Sequence, residues 1–474
     1  MTALMIQGTS SWAGKSLLTT ALARILTRRG VRLAPFKAVN MSNNARAVEG
    51  GEIGVAQYLQ ARAAGVEPDV RMNPVLIKPE ADMQSQVVLL GKVDHELSRT
   101  DWRDRAEHLR PAIERSLRSL QGEYDVILAE GAGSPAEINL YDIDLANMHV
   151  ARQADAQVLL VADINRGGAF AHLFGTWSLV APADRERIAG FILNRFRGDA
   201  SLLAPGPQQL EEMTGVPLAG VVPWLRHALP DEDGVSLPAP SAAEGAPRVA
   251  VIRYPAASNL DEFKPLEQAA QVSWAGRPSD LEGADLVVMP GSKHVASDLE
   301  WLRSSRLDYA IAKRIAAGGR VLAVCGGLQM LGGGVADPTG VEGAAVGLGF
   351  LPIETSLASE KRVERTSTRF AQLSEPWSGL SGLPVSGYEI RHGASTASED
   401  AIAAGLTEAL PEGLGFASGP LLGVYLHGLF ENPAVIERLI GVPAPRDLDS
   451  VLDELANLVE PHLDMTLVES LIAR

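Results

Sequence analysis

The stretch ALMIQGTSSWAGKSLLTTALARIL, residues 3–26, decides how the first half of the chain is read. Residues 3–7 are mostly apolar and predict a strand, residues 8–16 (GTSSWAGKS) are a Gly/Ser loop, and Leu17, Leu18, Ala21, Leu22, Ile25 and Leu26 recur at helical spacing. Strand, glycine loop and helix in this order let backbone N–H groups and a helix N-terminus cradle phosphate. In that frame Gly8, Thr9 and Gly14 shape a nucleotide-binding loop. Lys15 neutralises terminal phosphate charge, and the Ser16 hydroxyl ligates Mg2+. Five residues separate Gly8 from Gly14, one more than in the common motif.

Further apolar runs at 31–36, 126–129, 158–162, 188–193 and 218–222 have helix-length stretches between several of them. They predict an α/β domain with a mostly parallel sheet. VILAE, residues 126–130, ends in Glu130, and a carboxylate at the C-terminal edge of such a strand faces the ligand crevice of an open sheet. Glu130 is therefore a metal candidate beside Ser16, with Glu52 as a second ligand and Lys37 as a further cation near the phosphates. Residues 229–247, LPDEDGVSLPAPSAAEGAP, have the composition of a linker. New strand patterns at 248–253, 286–289, 321–324 and 422–426 then predict a second α/β domain. Helical periodicity from residue 450 reads as a C-terminal helical appendage. The expected organisation is 1–228, a linker at 229–247, a second domain at 248–440 and a helical tail at 441–474.

In RVLAVCGGLQML the cysteine, Cys325, follows an apolar strand and precedes two glycines and an apolar helix, the strand-turn-helix elbow of a nucleophile. A helix N-terminus stabilises a thiolate, and N–H groups there, with Gly326 the candidate, bind an oxyanion. Gly291, in the MPGSK turn after a third strand, is the second oxyanion candidate. His427 ends the apolar run of LLGVYLHGLFEN and supplies the base. His227, His294 and His392 lie in less strand-terminal contexts.

Composition limits the function classes. The chain has 474 residues, and 42 Lys+Arg against 58 Asp+Glu give a net charge of −16, which opposes generic binding to nucleic acid or an anionic membrane. One cysteine makes an intramolecular disulfide impossible, and residues 1–7 show no signal-peptide pattern, so a cytoplasmic location is expected. No uncharged apolar run approaches the ~20 residues that span a bilayer.

Taken in order, QGTSSWAGKS, APFKAVNMSNN, GGEIGVAQ, MNPVLIKPE, EGAGSPAEINL, VADINRGGAF, LPDED, MPGSK, VCGGLQMLGG and YLHGLFEN resemble the adenosylcobyric acid synthases over nearly the whole chain. The resemblance implies a dethiobiotin-synthetase-like domain that uses ATP and Mg2+, followed by a class I glutamine amidotransferase domain. Cys325 would attack glutamine, His427 would carry its proton, and the ammonia would amidate carboxylates b, d, e and g of adenosylcobyrinic acid a,c-diamide through acyl phosphates. The corrin is then a substrate, with Asp142 and Asp144 in the loop that handles it and Arg46, Arg71 and Lys78 as binders of its carboxylates. Trp12, Asn43, Tyr141, Asn165 and Arg391 depart from the family pattern. Position 429 is Leu, so no third member of the Cys–His pair is assigned, Glu431 being the remaining acid nearby. The closest alternative is cobyrinic acid a,c-diamide synthase, against which the NMS and SPAEINL segments weigh. A regulatory ATPase of the partition type is the alternative from another class, opposed by the intact Cys325 and His427.

Overall fold

The computed structural model of the chain describes residues 2–81, 84–230, 245–443 and 446–473. The expected linker therefore falls largely outside the described residues, as does most of the LPDED motif. Contacts divide the chain into two units: residues 1–42, 48–229 and 448–474, and residues 43–47 with 230–447.

The first unit is built on six parallel strands in the order Leu218–Pro223, Ile188–Phe196, Gln157–Asp163, Thr2–Gly8, Val126–Glu130, Leu33–Phe36. Strands covered on both faces read as continuous apolar runs. Leu4, Met5, Ile6, Leu128, Leu159, Leu160 and Ile192 are all completely buried. Because every pairing is parallel, Gly8, Glu130 and Asp163 finish their strands at one edge of the sheet, where a ligand crevice forms. A smaller four-stranded sheet (Val39–Met41, Val75–Ala81, Gln84–Leu89, Lys92–Asp94) accompanies it.

The C-terminal segment is helical, as expected, but it is not an appendage. Leu448–Val459 and Met465–Ile472 belong to the first unit, where Val451, Leu452, Leu455 and Val459 are buried with the apolar face of the helix Lys15–Arg28. Arg24 fixes the register through Asp453 at 2.8 Å. An apolar stripe of this width needs a partner, and the phosphate-loop helix is that partner.

In the second unit a seven-stranded sheet runs Gln271–Ala275, Arg248–Ile252, Leu286–Met289, Arg320–Val324, Leu421–Val424, Gly415–Ser418, Thr407–Leu410. The first five strands pair in parallel, and the last two are joined on through antiparallel pairings. A long antiparallel hairpin, Ile353–Arg369 with Pro384–Ala397, has no counterpart among the sequence expectations. Among the described residues no helix is long and apolar enough to cross a membrane.

Candidate active sites

In the first unit the loop after Thr2–Gly8 turns into Lys15–Arg28 through Gly14, whose φ of 93° lies in the left-handed region. A Cβ there would sit 2.0 Å from the Asn194 amide, which itself donates to the Ala13 carbonyl at 2.8 Å. Only glycine satisfies both conditions. Trp12 also has a positive φ of 66° and is exposed. The Thr9 N–H donates to the Val161 carbonyl, tying the loop to the neighbouring strand. Lys15 is buried and spans the loop, its Nζ donating to the carbonyls of Ser10 at 3.1 Å and Gly133 at 3.2 Å.

Glu130 is the centre of this site. Its Oε1 accepts from Ser16 Oγ and from Lys37 Nζ, both at 2.8 Å, and its Oε2 accepts from Gln60 at 2.6 Å. A fully buried carboxylate requires such partners, because an unpaired charge in a dry site costs several kcal/mol, of order ~5. The donor set suits Mg2+, since a hydroxyl and a carboxylate are hard oxygen donors that leave coordination positions for phosphate oxygens and water. Among the described residues no three His, Cys, Asp or Glu side chains gather into a metal cluster. Glu52, expected as a second ligand, forms a buried ion pair with Lys78.

In the second unit Arg320–Val324 and Leu421–Val424 are paired in register, Val324 opposite Val424, so the residues that follow emerge side by side. Cys325 adopts φ 50° and ψ −108°, a strained conformation for a residue with a side chain, and starts the helix Gly326–Leu331. Its N–H is held by the Val424 carbonyl at 2.7 Å, and its sulfur lies 3.6 Å from the Ile390 carbonyl. A Cβ on Gly326 would meet the Ser292 N at 2.7 Å, and one on Gly291 would meet His427 Cε1 at 2.9 Å. Gly326 thus directly follows the cysteine and Gly291 borders His427, and neither leaves room for a side chain. The Ser292 turn is anchored by Asp298, which accepts from Ser292 Oγ at 2.6 Å and from the Ala256 N–H at 3.0 Å. Burial pushes the Asp298 carboxyl up to about 6.

His427 is fully enclosed, and its Nδ1 donates to Glu262 Oε1 at 2.9 Å, while the Gly428 N–H donates to Oε2 at 2.9 Å. That bond fixes the orientation of the ring and leaves Nε2 on its other side, 3.3 Å from the Asn259 amide nitrogen. Burial alone would lower the proton affinity of the imidazole. The Glu262 carboxylate outweighs it, aided by the nearby Cys325 sulfur, and the pKa rises to about 10. At neutral pH the ring therefore favours its imidazolium form. Cys325, His427 and Glu262 thus lie in the order that a nucleophile, a base and the group that orients it require.

Two family models match in sequence. A CobQ/CobB/MinD/ParA nucleotide binding domain covers residues 4–233, and a CobB/CobQ-like glutamine amidotransferase domain covers residues 248–435. A protein named cobyric acid synthase from Polaromonas sp. is 52% identical over 499 aligned residues, spanning 99% of this chain and 98% of its own. A protein of the same name from Variovorax paradoxus is 53% identical over 476 residues, spanning 99% of both chains. The chain belongs to the cobyric acid synthase family. Like other cobyric acid synthases it is a glutamine-dependent, ATP-using amidoligase of cobalamin biosynthesis, with one unit for each half of that description.

Other expected site residues fall differently. Arg46, Arg71 and Lys78, read as binders of substrate carboxylates, are paired with the chain's own acids. Arg46 meets Asp261 and Glu431, Arg71 meets Asp69 and Glu123, and Lys78 meets Glu52. Glu431 is thereby engaged with Arg46, while Glu262 accepts from His427. Asp144 holds its own loop, accepting from the N–H groups of Ala146 and Asn147 at 2.9 Å each, whereas Asp142 is exposed in the turn Tyr141–Ile143. Glu262 was missed because it lies 165 residues from His427, in the segment LDEFKPLEQ, where Asp261 and Glu267 are equally acidic. The usable signal was the apolar spacing of Phe263 and Leu266, which buries this turn and any acid on its inner face.

Replacing Glu262 with glutamine removes the charge that keeps His427 protonated. The expected result is a fall of about 10²- to 10⁴-fold in kcat for glutamine hydrolysis. The basic limb of the pH–rate profile should move to lower pH, because the imidazolium then loses its proton earlier. Glutamate release measured across pH checks both, and an unshifted basic limb would remove Glu262 from the triad.

Proposed function

We propose that this enzyme converts adenosylcobyrinic acid a,c-diamide to adenosylcobyric acid by amidating carboxylates b, d, e and g. The observation that carries the reading is one chain holding a Cys–His–Glu triad and, separately, a phosphate loop whose Ser16 touches a buried Glu130. The relatives named cobyric acid synthase favour it over the a,c-diamide synthase alternative. ATP, glutamine and a corrin are the substrates. The single cysteine, being the nucleophile, suits a reducing cytoplasm.

At the triad, the Cys325 thiolate adds to the amide carbon of glutamine and the carbonyl electron pair moves to oxygen. N–H groups at Gly326 and the Gly291–Ser292 turn receive that charge. His427 gives the Nε2 proton to the departing nitrogen, which leaves as ammonia. The imidazole then takes a proton from water, whose oxygen attacks the thioester, and glutamate is released. In the first unit Lys15 and the loop N–H groups orient the ATP phosphates while a corrin carboxylate oxygen attacks the γ-phosphorus and ADP departs. Mg2+, when bound by Ser16 and Glu130, supplies charge neutralisation at the phosphates. Ammonia adds to the acyl carbon, and the former carboxylate oxygen leaves within inorganic phosphate.

Oxygen-18 placed in the corrin carboxylates should appear in released phosphate, one labelled oxygen per amide formed. Label retained wholly in the corrin, or found only in water, would reject the acyl phosphate. Asp142→Asn should alter the distribution of partly amidated corrins on mass spectrometry, and an unchanged distribution would reject that residue's role at the reacting arm.

A further inference from the structure

Residues 43–47 come from the first half of the sequence but fold with the second unit. There they border the triad at several points. The Ala45 N–H donates to Asn259 Oδ1 and the Leu260 N–H donates to Asn44 Oδ1, each at 3.1 Å, so the segment is zipped onto residues 259–260. Asn259 in turn places its amide nitrogen 3.3 Å from His427 Nε2. Arg46 follows immediately, with its side chain only 4% exposed.

The Arg46 guanidinium meets Asp261, the backbone neighbour of Glu262. It also donates to Glu431 Oε1 at 2.7 Å and to the Tyr388 hydroxyl, with its carbon 4.9 Å from the centre of the Tyr388 ring. That ring is stacked on His427, centroids 5.3 Å apart and planes 19° from parallel. The Tyr388 and His427 backbones exchange two hydrogen bonds, at 3.1 and 2.9 Å. Arg46 therefore touches one residue beside the carboxylate that orients the histidine and another that covers the histidine's face.

Neither the glutamine chemistry nor the ATP chemistry uses Arg46, and burying a guanidinium is costly unless its partners hold it in place. We propose that Arg46 is a positioning residue of the glutaminase site: by clamping Asp261 and Tyr388 together it fixes Glu262 and the His427 ring in the geometry that meets Cys325. The five-donor guanidinium suits this task, because it bonds two carboxylates and a hydroxyl at once while its carbon stays 4.9 Å from the centre of the Tyr388 ring. Asp261 shows the need for it. Burial pushes that carboxyl up to about 6 despite the neighbouring cation, so loss of Arg46 leaves an acid that no longer anchors the turn.

The proposal rests on the glutamine-hydrolysing reading and is tested in the full-length enzyme with ATP, Mg2+, corrin and glutamine. R46M should lower kcat for glutamate release about 10²-fold with KM for glutamine changed less than about threefold. The ratio of glutamine-supported to ammonia-supported synthesis should fall by the kcat factor. R46K, which keeps the charge but not the fork, should recover part of the loss. Y388F should be milder than R46M and add little to it, because both remove one coupled contact. Should R46M fold poorly, R46M/D261N removes the stranded carboxylate and should restore a cooperative melt while hydrolysis stays slow. Wild-type kcat in a folded R46M, a loss confined to KM, or full recovery in R46M/D261N would overturn the proposal, the last by reducing Arg46 to a counter-charge. Wild-type enzyme that releases no glutamate would instead overturn the glutamine-hydrolysing reading and the proposal with it.

Discussion

Replacing Cys325 with serine is expected to lower glutamine-supported amide synthesis by about 10³-fold or more while synthesis from high free ammonia persists. Cys325 is the chain's only thiol, so no second sulfur can substitute. Its strained backbone and its place at the start of Gly326–Leu331 direct the side chain toward His427, whose imidazolium is maintained by Glu262. A serine hydroxyl in the same position holds its proton far more tightly than a thiol, and the neighbouring cation cannot compensate. The ATP-using chemistry needs only ammonia, whatever its source. Parallel assays with glutamine and with ammonium salts measure the two rates. Equal losses with both nitrogen sources would show that one site does all the work and would overturn the division into glutaminase and synthetase.

Lys15→Ala should remove synthesis from either nitrogen source, by about 10²- to 10³-fold, the scale of losing one charge-stabilising donor at a developing anion. The lysine is buried between the Ser10 and Gly133 carbonyls, so its ammonium group is already held within the loop before nucleotide arrives. Labelling of Cys325 by a glutamine-like affinity reagent should survive in this variant, since the triad is made entirely of second-unit residues. Product formation at the wild-type rate would mean that the loop is not the ATP site. Together the two variants give opposite patterns, one rescued by ammonia and one not.

The parts of the molecule that could be read from sequence are those where burial imposes a pattern. The strands Val126–Glu130, Leu286–Met289 and Arg320–Val324 are covered on both faces, and their apolar runs give their positions to within a residue or so. Cys325 and His427 follow from this, because each lies just past the end of such a run. The long hairpin did not show, since the covered side of Ile353–Arg369 carries Thr355, Thr366 and Thr368 beside its apolar residues, so burial alternates along the strand where apolar character does not. Glu262 was hidden for a different reason: its partner is remote in sequence, and no local spacing separates it from the acids around it. Arg46, Arg71 and Lys78 looked available for substrate because sequence shows a charge without its counter-charge. Burial supplies the missing rule, most strongly for Arg46 and Lys78, which could not be enclosed without an acid beside them. The C-terminal helix was recognised by its periodicity, but only packing on Lys15–Arg28 shows that it completes the first unit.

The most direct test supplies the enzyme with ATP, Mg2+, glutamine and, in separate reactions, adenosylcobyrinic acid a,c-diamide or cobyrinic acid, and follows the corrin products by mass spectrometry. The account predicts that the a,c-diamide is carried to the fully amidated adenosylcobyric acid through b, d, e and g, with one glutamate and one phosphate released per amide. Amidation confined to the a and c carboxylates of cobyrinic acid, or hydrolysis of ATP and glutamine without any amidated corrin, would contradict it.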